Sequence, residues 1–126
     1  MKMSLPDCST FTNEVQQAVK SGVVLGTREY RLNTATSDQQ KINYYSAHPQ
    51  KWFLICELYD LLKQLWNYDR VTSSLLKRLW DQVASGHCQH KLRDTCQFSA
   101  MGNLLVHFGY AAHHVSGREN VYQRIA

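Results

Sequence analysis

From Pro49 to Gly86 apolar residues return at helical spacing. In PQKWFLICELYDLLKQLWNYD, Trp52, Ile55, Cys56, Tyr59, Leu62 and Trp66 form one stripe, and Leu54, Leu58, Leu61 and Leu65 form a second beside it. The polar remainder is a narrow line through Glu57, Asp60, Gln64 and Asn67, so about two thirds of the perimeter calls for cover. This predicts a central helix over about residues 49–66, entered at Pro49, which suits a first turn and biases His48 away from the helical region. The next segment, SSLLKRLWDQVASG, is one-sided. Leu75, Leu76, Leu79, Trp80 and Val83 share a face, which predicts a second helix capped by Thr72 or Ser73, ended by Gly86 and packed on the first.

On either side of this pair the same patterns predict further elements. Phe11, Val15, Ala18 and Val19 repeat as a helix over Thr10 to Lys20, stopped by Ser21-Gly22. In VVLGTREYRLN, apolar positions alternate around Gly26-Thr27, the pattern of a minor β-hairpin near residues 23–32. Ser37 to Gln40 reads as a cap for a short helix to about Ala47 that buries Ile42 and Tyr45. Phe98, Met101, Leu105 and Phe108 predict a helix from Thr95, within which Gly102 costs about 1 kcal/mol against alanine and so implies close approach by a neighbouring helix. Ser116-Gly117-Arg118-Glu119 reads as a capping box that starts a last helix through Val121, Tyr122 and Ile125. The expected architecture is mainly α: a single helical domain over residues 1–126, with five or six helices around the central one.

Composition agrees with one small globular domain, at 126 residues with 44% apolar and 19% charged. The richest apolar segment is interrupted by Glu57, Asp60 and Lys63, so no run reaches the ~20 residues of a membrane span. The first residues lack the apolar core of a secretory signal, and the expected location is cytoplasmic. Cys8, Cys56, Cys88 and Cys96 are expected as free thiols, because a chain of this length and apolarity needs no disulfide staples. The net charge of +4 is spread without a run of three cations, which permits a polyanionic partner without demanding one.

Candidate chemistry is sparse. Five of six histidines fall in the last forty residues with Cys88 and Cys96, which raises a zinc site built from Cys88, His90, Cys96 and His107. Their spacing departs from paired zinc ligands, so no metal or cofactor is expected. No nucleophile elbow, phosphate loop or dinucleotide motif occurs, so no catalytic residue is assigned, and a metal-dependent or thiol enzyme ranks third among the readings. The segment from Leu104 to Ile125 has the glycine-centred spacing of a helix-turn-helix. In a DNA-binding regulator it would present His113, His114, Arg118, Gln123 and Arg124 to nucleic acid. The reading ranked first is a non-enzymatic interaction or regulatory protein, alone or as a homodimer, that docks a protein partner through Tyr44, Trp66, Tyr68 and Arg70, since aromatics and arginine anchor interfaces.

Overall fold

The computed structural model describes residues 4–33, 41–45, 47–75 and 95–125. Among them, helices α1 (Cys8–Ser21), α2 (Ile55–Tyr68) and α3 (Thr95–His107) are joined by seven strands. The strands are β1 (Val23–Leu25), β2 (Arg28–Leu32), β3 (Lys41–Asn43), β4 (Trp52–Leu54), β5 (Arg70–Thr72), β6 (Ala111–Ser116) and β7 (Glu119–Arg124). They make two antiparallel sheets, ordered β1-β2-β3-β4 and β5-β7-β6. The chain is therefore α+β, and the mainly α, all-α expectation is overturned. The hairpin expected near residues 23–32 is not a minor appendage: it is half of a four-stranded sheet.

The chain divides into two compact units, Pro6–Tyr59 and Asp60–Ala126 with Met1–Leu5. In the first, α1 buries Phe11, Val15 and Val19, the stripe its periodicity marks. Register places Val23 opposite Tyr30, Leu32 opposite Ile42 and Ile42 opposite Phe53, so these residues share one face of the sheet. Tyr30, Ile42 and Phe53 are fully buried there. The solvent face carries Val24, Arg31 and Asn43 instead, the inside-outside alternation a half-buried strand requires.

α2 begins at Ile55, not Pro49, because Trp52, Phe53 and Leu54 extend as β4 beside β3. The residue expected inside a short helix, Ile42, lies in β3. Glu57 accepts the Leu54 backbone N–H at 2.8 Å, closing the helix start as an N3 glutamate does. Leu58, Leu61, Leu62 and Leu65 are wholly buried, and so are Glu57 and Asp60, the line expected to be solvated. Asp60 faces Lys63 at 3.2 Å one turn on. A charge buried this completely needs such partners.

In the second unit, the segment expected as a last helix is β7. Register pairs Ser116 with Glu119 around a two-residue turn whose first member, Gly117, has φ 63°. Leu25 and Arg28 are joined in the same way across Gly26, also at φ 63°. A glycine at positive φ in the first turn position gives the strands their native twist. Glu119 does cap a helix, though a remote one: its carboxylate accepts Ser74 N–H at 2.9 Å and Ser73 Oγ–H at 3.2 Å, where a helical turn starts at 73–75. The Thr72 hydroxyl accepts Leu75 N–H there at 3.1 Å, as the sequence expects. The remainder of the second predicted central helix, beyond residue 75, lies outside the described residues.

α1 starts at Cys8, two residues before the expected Thr10, and Asp7 caps it: its Oδ1 accepts Thr10 N–H at 2.7 Å. This bond holds the Asp7 carboxyl below its ordinary value. A depressed folded value adds stability above the unfolded pKa of about 3.9 and loses it as pH falls through the folded one. Asp7→Ala is expected to destabilise at neutral pH and to match the wild type in strong acid. Urea midpoints at the two pH values check it, and an equal gap at both would refute the assignment.

Candidate functional site

The second unit gathers chemistry on its three-stranded sheet. β7 is the middle strand, and β6 lies at the edge. From Ala112 to Arg118 every residue of the β6 strand and turn is exposed, and Val115 retains 61% of its surface. A strand this exposed is a ribbon at the sheet edge, not a core element.

Alternation divides this sheet into two faces. Val71, Tyr122 and His113 are register neighbours on one face, and Val71 and Tyr122 are buried. Arg70, Gln123 and Ala112 are register neighbours on the other, all three exposed. His114 shares that second face, where it is exposed opposite buried Val121, since strand neighbours alternate, and Arg118 occupies the turn.

α3 lies against the inner face. A methyl group at Gly102 would sit 2.4 Å from the Tyr122 ring, so the close neighbour implied by the sequence is a strand tyrosine rather than a helix. The Tyr122 hydroxyl donates to Asn103 Oδ1 at 3.0 Å, and its ring meets Phe98 edge-on at 5.3 Å. Asn120 Nδ2 donates to Ser99 Oγ at 3.1 Å, and its Oδ1 stands 2.8 Å from His113 Nε2.

The residues expected to contact nucleic acid thus separate. His113 lies on the Tyr122 face of the sheet, and it, His114, Arg118 and Gln123 are all exposed. Arg124 is half-buried, 3.2 Å from Asp69 and above the Trp66 ring at 5.2 Å. None of these lies on a recognition helix: Leu104 to His107 end α3, and the rest of the presumed helix-turn-helix is the β6–β7 hairpin.

Of the expected docking residues, Tyr44 is in the core of the first unit, 1% exposed and stacked on Phe53. Trp66 is half-buried between Tyr110 and Arg124. Tyr68, 49% exposed, and Arg70 reach solvent. For the zinc alternative, Cys88 and His90 lie outside the described residues. Cys96 and His107 stand eleven positions apart on α3, about 16 Å along its axis, too far to share an ion. Among the described residues no three metal-binding side chains converge.

The first unit holds an open cleft of about 460 Å³ between the end of α1 and β1–β2. Its lining has no histidine or cysteine, and its Glu29 and Arg31 are paired to each other. Among the described residues no helix is long and apolar enough to cross a membrane. Compared with known proteins, the chain stands apart: no family model matches it, and no curated protein or solved structure does.

Sequence reasoning overlooked Ser99, Asn103 and Asn120. The hairpin signal was present, since Ser116-Gly117 stands between two runs containing Val115, Val121 and Tyr122. The capping-box pattern occupies the same four residues and masks it.

Proposed function

We propose that the Asp60–Ala126 unit binds nucleic acid, with duplex DNA as the partner and the β6–β7 hairpin as the contacting element. The observation that carries this reading is the exposed ribbon from Ala112 to Arg118, flanked by the outward row Arg70 and Gln123. A two-stranded ribbon or a helix fits the major groove of about 12 Å, and arginine and glutamine are the side chains that bond base edges and phosphates there.

Charge supports the same unit. Asp60–Ala126 with Met1–Leu5 holds nine of the fourteen Lys and Arg residues and five of the ten acidic ones. Pro6–Tyr59 holds five of each, so the net charge of +4 belongs wholly to the unit with the ribbon. The protein-docking reading keeps only Tyr68 and Arg70 on the surface, and nucleic acid is the better-supported partner.

Fluorescence anisotropy with a labelled duplex tests it. Binding is expected to weaken steeply as salt rises, with a Kd of about 10⁻⁴ to 10⁻⁶ M at physiological ionic strength for sequence-independent contact. Arg118→Ala should lower the slope of log K against log salt by about one. An absence of binding at low salt would remove the reading.

A further inference from the structure

We propose that Ser99, Asn120 and His113 form a latch that holds the hairpin at a set angle to α3, making His113 a positioning residue and leaving nucleic-acid contact to His114 and Arg118. This rests on the nucleic-acid reading for its consequence, though not for its geometry. Two consecutive histidines would be taken from sequence as one basic pair. Strand alternation separates them: His113 faces Tyr122, its ring 5.0 Å away at 32°, and His114 faces outward.

Asn120 Nδ2 donates to Ser99 Oγ, which leaves its Oδ1 turned to His113 Nε2. The latch as proposed takes the Nε2–H tautomer, with Nε2 donating to that oxygen. A glutamine at 113 would supply an N–H donor at comparable reach, whereas alanine would supply none. Tyr122 and Asn103 form the parallel tie one turn along α3, so the hairpin is held at two points. His113 and Asn120 lie at the outer tie, where the hairpin leaves the core.

The test uses the full chain. Side-chain ¹⁵N correlation spectra in alkaline buffer should show His113 as the Nε2–H tautomer, and Asn120→Ala should abolish that preference. In duplex titrations, His113→Ala should weaken binding roughly two- to tenfold, the worth of one hydrogen bond, with the salt slope unchanged. His113→Gln should restore it. A reduced salt slope in His113→Ala, without rescue by glutamine, would make His113 a contact residue and overturn the latch. So would wild-type affinity in His113→Ala, or an Nδ1–H tautomer indifferent to Asn120. If no duplex binds the wild type, the functional reading fails alone, and the tautomer and its dependence on Asn120 still decide the latch.

Discussion

Leu61→Ala is expected to cost about 2–5 kcal/mol of folding free energy, the largest single loss among the substitutions considered. Leu61 has no exposed surface, and Leu58, Leu62 and Leu65 beside it have none either. Deleting a side chain from a helix buried on so many sides removes its transfer energy and leaves a cavity that rigid neighbours fill poorly. The matched control is Val24→Ala, at a position 65% exposed, which should change stability by no more than about 0.5 kcal/mol. Chemical denaturation of the two variants decides it. A loss below about 1 kcal/mol at Leu61 would mean that α2 is not enclosed.

Gly102→Ala should be destabilising by about 1–3 kcal/mol, and here helix propensity argues in the opposite direction. In an isolated helix, alanine would be favoured by about 1 kcal/mol. In this fold the added methyl would lie 2.4 Å from Tyr122 Cε2 and Cζ. Tyr122 is 1% exposed, its ring is set against Phe98 and its hydroxyl is bonded to Asn103, so it has little room to retreat. Steric overlap outweighs propensity. In a Tyr122→Leu background the clash is relieved, and Gly102→Ala should become neutral or stabilising. Losses that simply add in the double variant would refute the contact.

The two glycine-turn hairpins show where sequence reading succeeds and where it fails. Gly26-Thr27 lies between strands of clear alternation and is legible as a hairpin. Gly117-Arg118 has the same turn with the same φ at its glycine, yet Ser116 and Glu119 at its ends mimic a capping box. Glu119 does serve as a cap, for the turn at 73–75, so the local chemistry is legible and the distant recipient is not. β3 and β4 are three residues each, too short for a period of two to register. β4 also runs directly into α2, so Trp52 extends the helical stripe of Ile55 and Tyr59 although it belongs to a strand.

Of the candidate site, Arg118, His114, Gln123 and Arg70 are legible as exposed polar residues, but their company is not. Arg70 and Gln123 belong to separate expectations, for protein and for nucleic acid, and become neighbours only through the β5–β7 register. The sequence by itself marked the apolar stripe that each of α1, α2 and α3 buries, because that stripe follows a period that neighbours along the chain already express. Tertiary structure alone decided the two sheets, the burial of Glu57 and Asp60 and the pairing of His113 with Tyr122. Strand pairing and burial are set by how elements pack, and local periodicity carries no information about that packing.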